Sequence, residues 1–361
     1  MGWRKKIVAT ALTLAAVAAA CAPAPAAPDP LTPEPASTGL RVMTWNLLGS
    51  QGDGQIYDEQ AGWAARIGQL QPDVVVLEEV QGDDLSAILT RTDGYRLAAF
   101  LPWECDLKPN KEGVAVVVRS SLTLLGSGGT HVGASCFDPT VRRVVVWADV
   151  EVGGAPFRVY GTHLTAGGGP SAESRAAQIR AIHALVAADD PDDERRWVLA
   201  GDLNANPGDS SYRLIVDDDP ATSRSERMLD TFAELRPEAV DRSLCPAVRD
   251  GDAAAMADLL AHPERVAACG YTSGWAKDSN FIGCDVLSLC ESWQVRRDTS
   301  VRIRIDYVMR PEGGPVEVVG ARVPNRADPD WAAVGSEWFR LSDHLPYVVD
   351  LAVEDGEGAT P

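Results

Sequence analysis

The run Trp197-Val198-Leu199-Ala200-Gly201-Asp202-Leu203-Asn204-Ala205-Asn206-Pro207 constrains this chain more than any other stretch. Its apolar start is of strand type, and a continuous apolar run predicts a strand covered on both faces. The strand then drives into a carboxylate and an amide. Asp202 and Asn204 are two apart, so an extended segment points both to one side. Gly201 admits a second backbone at close range, and Pro207-Gly208 ends the strand. The same letters also suit an Asx-rich turn that caps a helix near Asp209-Ser210. The rest of the chain has to decide between a site and a turn.

A length of 361 residues allows one large domain or two ordinary ones, and 45% apolar residues supply a sizeable core. The formal charge of −19 rules out bulk attraction to polyanions. Affinity for nucleic acid would need local Arg clusters or a divalent metal. The N-terminus reads as an export signal. Arg4, Lys5 and Lys6 precede an apolar stretch over 7–20, which is short for a membrane span. Ala18-Ala19-Ala20-Cys21 resembles a bacterial lipobox, so Cys21 is the expected lipidated residue and membrane anchor. Simple cleavage and release is the alternative.

The expected organisation is a signal peptide with a lipobox over 1–21, a Pro/Ala-rich linker over 22–38, one domain over 39–354 and a polar tail over 355–361. Within the domain, 236–300 reads as a polar, Cys-containing insertion. The expected location is the cell surface as a lipoprotein, or the medium as a secreted protein. Six cysteines besides Cys21 suit three disulfides in an exported chain. Cys105–Cys136 and two bridges within 245–290 form the expected pairing. A zinc site is the other reading of that Cys cluster, and the lack of any C-x-x-C spacing speaks against it.

Periodicity sets out the elements. Strands are expected over 41–47, 74–80, 95–101, 114–119, 301–309, 316–323 and 347–353, and a hairpin over 143–150 and 157–162 turns at Gly153-Gly154. A helix over 58–70 is expected to bury Ala61, Ala64, Ala65 and Ile67, with Trp63 at its flank. A short helix is expected over 83–90. A longer one capped by Ser171 carries Ile179, Ile182, Leu185 and Val186 as its buried stripe. Alone, this gives an α/β or α+β fold.

The ends of the apolar strands collect polar residues: Asn46, Glu79, Glu112, His163, Asp202, Asn204, Asp306, Asp343 and His344. Each has a plain structural explanation on its own. Asn46 suits a strand-end turn, Glu79 a solvated strand end, and His163 a hydrogen-bonded core histidine. Asp306 lies between Ile305 and Tyr307 and needs a partner if buried. A shared structural explanation for all of them is far weaker, because one end of many strands repeatedly offers carboxylate, amide or imidazole.

Thr44-Trp45-Asn46, Leu77-Glu78-Glu79-Val80, Gly161-Thr162-His163-Leu164, Gly201-Asp202-Leu203-Asn204, Arg304-Ile305-Asp306-Tyr307 and Ser342-Asp343-His344 together resemble the ordered signature of the endonuclease/exonuclease/phosphatase superfamily. The resemblance spans 40–353. It implies a DNase I-like, four-layer sandwich of two mixed β-sheets flanked by helices. It also implies a hydrolase of phosphoric esters that uses Mg2+, with Mn2+ or Ca2+ as alternatives. By the same resemblance Asn46, Glu79 and Asp343 are the metal-side residues. Asp202 activates water, Asn204 orients phosphate, and His163 and His344 flank the scissile phosphate. Asp306 pairs with His344, Glu112 pairs with His163, and Arg143 (or Arg142) faces phosphate.

The chemistry is coherent with those roles. A hard cation held by carboxylates neutralises charge on phosphoryl oxygens. A carboxylate behind an imidazole raises its pKa and fixes its orientation. The implied reaction is in-line attack of water with no covalent intermediate. The expected substrate is a phosphodiester, in nucleic acid first or in a phospholipid head group. A sphingomyelinase-type or inositol-phosphate activity is the alternative, and a non-catalytic surface binding module is the alternative of another class. Two departures weaken a DNase I-like DNA groove: Leu47-Leu48 and Gln81 stand where that enzyme carries Arg. Trp331, Trp338 and Phe339 suit either packing or a membrane-facing cluster. The expected state is a monomer.

Overall fold

The structure, a computed structural model, describes residues 39–48, 59–102, 112–132, 143–167, 170–190, 196–216, 227–249, parts of 252–273, 301–324, 342 and 344–354. The cysteines at 105, 136, 284 and 290, the aromatic residues at 331, 338 and 339, and the leader, linker and tail lie outside the described residues.

Fourteen strands and five α-helices are described. In chain order they are β1 (Gly39–Asn46), α1 (Glu59–Leu70), β2 (Val74–Gln81), α2 (Gly82–Arg91), β3 (Tyr95–Pro102), β4 (Glu112–Arg119), β5 (Leu124–Val132), β6 (Arg143–Val152) and β7 (Ala155–His163). They continue with α3 (Pro170–Asp189), β8 (Arg196–Asp202), α4 (Ser210–Ile215), β9 (Met228–Asp230), α5 (Thr231–Leu235), β10 (Val248–Arg249), β11 (Val301–Arg302), β12 (Asp306–Pro311), β13 (Val316–Arg322) and β14 (Tyr347–Val353). One six-stranded sheet runs β13-β14-β1-β2-β4-β3, and a second runs β5-β6-β7-β8-β12-β9. Both are mixed. β1 and β2 are parallel, as are β7 and β8, while the neighbouring pairs are antiparallel.

Three apolar clusters account for the layers. Val42, Val74, Val76, Val114 and Val116 meet Val144, Val146, Val159, Val198 and Val308 between the two sheets. Trp63 and Ile67 of α1 and Leu85 and Ile88 of α2 cover the outer face of the first sheet, on Met43, Val75, Leu77 and Val117. Ile179, Ile182 and Val186 of α3 cover the outer face of the second, on Tyr160, Trp197 and Leu199. The unbroken apolar runs of β2 and β8 follow directly, since both faces of each strand are buried. This is the expected four-layer sandwich.

Several local expectations are corrected. In α1, Trp63 is fully buried and Ala65 is exposed. The helix turns its largest apolar side chain inward, because an indole buries far more area than an alanine. Helix α3 starts at Pro170, which suits the first helical position, so Ser171 lies inside the helix and not at its cap. The single strand expected over 301–309 is two, β11 and β12. Between them Ile303 exchanges backbone hydrogen bonds with Ser273, and Ile305 O accepts from Leu203 N. Strand β5, Leu-Leu-Gly-Ser-Gly-Gly-Thr-His-Val, was not expected. In the insertion, Cys245–Cys269 is a disulfide, consistent with the expectation of bridges within 245–290 and giving one of them its partners. The hairpin turn at Gly153-Gly154 is as expected, with φ of 58° and 75°.

Candidate active site

Strand alternation places the site. Val42, Val74 and Val76 face the space between the sheets. Asn46 and Glu78 share their parity and are register partners. In the second sheet Val159, Val198, Ala200 and Val308 line the same space. His163, Asp202 and Asp306 continue those faces to the strand ends. Asp202 is the register partner of both His163 and Asp306. The alternation that fills the core with valine thus gathers amide, imidazole and carboxylate at the mouth of that core.

Two glycines let the strands close there. A Cβ on Gly161 would lie 2.8 Å from Val76 Cγ1 of the opposite sheet. Gly201 has φ of 147°, and a Cβ on it would meet Thr162 O at 1.9 Å. The close approach expected at Gly201 is therefore real.

Glu79 has the wrong parity for the site and reaches it by a β-bulge. The β2–β4 register shifts between Glu78 and Val80, and Glu79 takes φ of 52°. Its Oε1 accepts from Asn46 Nδ2 at 3.1 Å. Glu78 keeps the regular parity and is fully buried beneath the site, where Oε1 accepts from Thr44 Oγ1 at 2.5 Å. Its Oε2 has no hydrogen-bond partner among the described residues. Burial, then the charge of Asp306, pushes the Glu78 carboxyl well above its ordinary range.

Asp202 is the hub. Its Oδ2 accepts from Asn46 Nδ2 at 3.1 Å and lies 3.5 Å from His163 Nε2 and 3.9 Å from His344 Nε2. Its Oδ1 accepts from Asn204 N at 2.9 Å. Burial raises the Asp202 pKa to about 7, with the Asp306 charge adding to the rise and His344, the Asn204 amide and Asn46 opposing it. Asn204 is not extended: its φ is 48°. The expected extended segment is thus a tight Asx turn, and it delivers the amide by a different route. Asn204 Nδ2 donates to Leu164 O at 2.9 Å and lies 3.1 Å from His163 Nε2. Asp209 also caps α4 through Tyr212 N. Site and turn therefore coexist in one stretch.

His344 is fixed on every side. Nδ1 lies 2.9 Å from Asp306 Oδ2, the pairing expected, and Nε2 lies 3.2 Å from Ser273 Oγ. Its backbone N donates to Ser342 Oγ, which donates to Asn46 O, and its backbone O accepts from Trp45 Nε1. Thr272 Oγ1 accepts from Asp306 N at 3.1 Å. Thr272 and Ser273 were not anticipated. They come from the insertion, and only their position just before Gly274-Trp275 marked them in an otherwise polar stretch.

His163 departs from the expected raised imidazole. Its pKa is lowered well below 6.5, by burial first and then by the charges of Arg143 and His344. Asn204 Nδ2 is an N–H donor, so Nε2 accepts and the ring proton sits on Nδ1. Arg143 is lowered by burial, against the opposing charges of Glu79, Asp202 and Glu112. Arg143 and Glu112 therefore belong to this cluster. Behind His163, α3 clamps the following loop: Arg175 Nη1 donates to Thr165 O and Gly167 O, and Gln178 bonds Thr165 at N and Oγ1. Asp343 and Arg142 lie outside the described residues.

The donors suit a hard divalent cation. Glu79 stands beside Asn46, and Asp202, Asp306 and His344 offer ligand atoms within 4.8 Å of one another. Asp306 Oδ1 is buried with no hydrogen-bond partner among the described residues. Carboxylate-rich, oxygen-based sets of this kind favour Mg2+-type ions over soft metals.

A family model described as the endonuclease/exonuclease/phosphatase family matches residues 43–344. No curated protein sequence matches significantly. Solved structures share the fold. The human Nocturnin catalytic domain with bound sulfate is 19% identical at a TM-score of 0.58, covering 88% of this chain and 94% of that one. A family protein from Bacteroides thetaiotaomicron is 15% identical at 0.57, covering 89% and 99%. The mannosyl-6-phosphatase of Bacteroides thetaiotaomicron is 14% identical at 0.55, covering 86% and 99%.

Proposed function

The chain belongs to the endonuclease/exonuclease/phosphatase family, divalent-metal-dependent hydrolases of phosphoester bonds, and on that premise we propose that it is an exported phosphodiesterase of nuclease type. One observation carries the reading. Asp202 Oδ2 is buried among Asn46, His163 and His344, a setting that serves proton abstraction and explains no stability.

Asp202 is the general base that takes a proton from the attacking water, and its pKa of about 7 matches that task. His344, oriented through Nδ1 by Asp306, presents Nε2 to the scissile phosphate. Asn204 and Arg143 donate to phosphoryl oxygens and stabilise charge that grows in the transition state. His163, bonded to Asn204 and held below the ordinary imidazole range by burial, orients that amide. Glu112 steadies Arg143. Glu79 and Asn46, with Asp343 by the family resemblance, would hold Mg2+, which would neutralise charge on the phosphoryl oxygens.

Arg4, Lys5, Lys6, the apolar 7–20 stretch and Cys21 support export with a lipid anchor. The charge of −19 repels polyanions, so attraction for nucleic acid falls to Arg143 and the cation. A panel of plasmid DNA, RNA, sphingomyelin liposomes and inositol phosphates, each with Mg2+ and with EDTA, tests the reading. Metal-dependent nicking of DNA or cleavage of RNA is the expected result. Liposome hydrolysis without nucleic-acid cleavage would replace the nuclease assignment, and no turnover on any substrate would remove it.

A further inference from the structure

Beside the catalytic cluster lies a cavity of about 230 Å3, walled by Asn206, Ala239, Arg242, Tyr271, Ile303 and Arg304 and by the Cys245–Cys269 disulfide. That is room for roughly eight water molecules at their liquid volume, or for a phosphoryl group with part of the skeleton that carries it. Three of its walls are continuous with the site. Asn206 is two residues past Asn204, Arg304 is two before Asp306, and Tyr271 is two before Ser273, which touches His344. A substrate held at Asp202 therefore has this cavity within reach of its non-reacting part.

Two arginines of the lining carry donors with no partner among the described residues. Arg304 is buried, and Asp230 engages both of its terminal nitrogens, at 2.9 Å and 2.7 Å. Its Nε–H is left with no hydrogen-bond partner among the described residues. A buried donor of that kind costs stability unless something fills its place. Arg242 is exposed and, among the described residues, spends only Nε, on Pro207 O at 2.8 Å. Pro246 O, another acceptor at the wall, is already taken by Tyr271 OH at 2.6 Å. Ala239, Ile303 and the disulfide add an apolar side that suits a sugar or ring.

We infer that this cavity is a substrate subsite for a second phosphoryl group, carried by the same molecule whose phosphoester is cleaved. The inference rests on the phosphodiesterase reading for its use, but the binding itself does not need turnover. The disulfide closes the insertion on itself and the Arg242–Pro207 bond joins it to the turn after β8, so the insertion shapes substrate choice beside the strand ends. Guanidinium is well suited to bridge phosphate oxygens.

Calorimetry in EDTA separates binding from hydrolysis. The probes are thymidine 5′-phosphate against thymidine 3′,5′-bisphosphate, and inositol 1-phosphate against inositol 1,4-bisphosphate. The two pairs distinguish a nucleoside from a polyol skeleton. In one pair at least, the bisphosphate should bind roughly tenfold more tightly, the gain typical of a charged hydrogen bond. Arg242→Ala should erase that preference; because the side chain is exposed, losing its bond to Pro207 lowers the melting temperature only slightly and leaves the fold intact by circular dichroism. A preference in neither pair, or one that survives Arg242→Ala, would overturn the subsite. Loss of turnover on every substrate with the binding preference intact would instead strike only the phosphodiesterase reading.

Discussion

Asp306 lies directly opposite Asp202 in the antiparallel β8–β12 ladder, and both carboxylates are buried. Like charges in opposed positions destabilise a sheet by roughly 0.2–1 kcal/mol, and burial adds to the cost. A fold selected for stability alone would not place them so. Asp306→Asn should therefore leave stability unchanged or raise it by up to about 1 kcal/mol, while turnover drops about a hundredfold because the His344 ring loses its carboxylate. Urea titration together with steady-state kinetics checks both halves. A large loss of stability with full activity would make the pair structural.

Glu78 offers a pH test. Its folded pKa lies well above 4.5, raised by burial and then by Asp306. The folded state holds this proton where the unfolded chain releases it, so stability falls as pH rises above the unfolded value. Glu78→Gln keeps a partner for Thr44 and removes that titration. In EDTA, the variant should match wild type near pH 4.5 and grow more stable than it toward neutral pH. Parallel stability curves for the two proteins across that range would refute this origin.

Asp230, at the end of β9, ties α4, α5 and the approach to β12 together. It pairs with the buried Arg304 guanidinium, accepts from Tyr212 OH and caps α5 at Phe232 N and Ala233 N. Asp230→Ala leaves an uncompensated buried cation, which typically costs about 3–5 kcal/mol. Thermal unfolding should show a drop to match. A shift of only a degree or two would mean that the cation–π faces of Phe232 and Tyr307, 5.2 Å and 4.7 Å from Arg304, carry the charge unaided.

Much of this architecture is legible in the sequence, and the reasons differ by element. Val74–Leu77 and Trp197–Ala200 are apolar without a break because both faces of each strand are covered. Their polar ends are legible as a site because alternation carries the core-facing parity into Asp202 and, in β12, Asp306. Strand β5 was hidden because glycine and serine fill it. It is an edge strand held by its ladder with β6, where Gly128 and Gly129 lie against Trp147 and Val146. The bulge that swings Glu79 into the site leaves no mark in the letters, since its parity alone points the other way. Ser273 and Thr272 escaped notice because they reach His344 and Asp306 from an insertion with no strand pattern of its own. The break between β11 and β12 is set by the partners of Ile303 and Ile305, which are tertiary contacts.

The reading of Asp202 as the water-activating base is met most directly by one measurement: hydrolysis of bis-p-nitrophenyl phosphate with Mg2+ by wild type and by Asp202→Asn, each also in EDTA. The expected outcome is turnover by wild type that EDTA abolishes and a fall of about a thousandfold or more in the variant. The variant should keep its circular dichroism spectrum and be no less stable, because the opposed charge at Asp306 is relieved. A folded Asp202→Asn protein that retains most of the wild-type rate would contradict it.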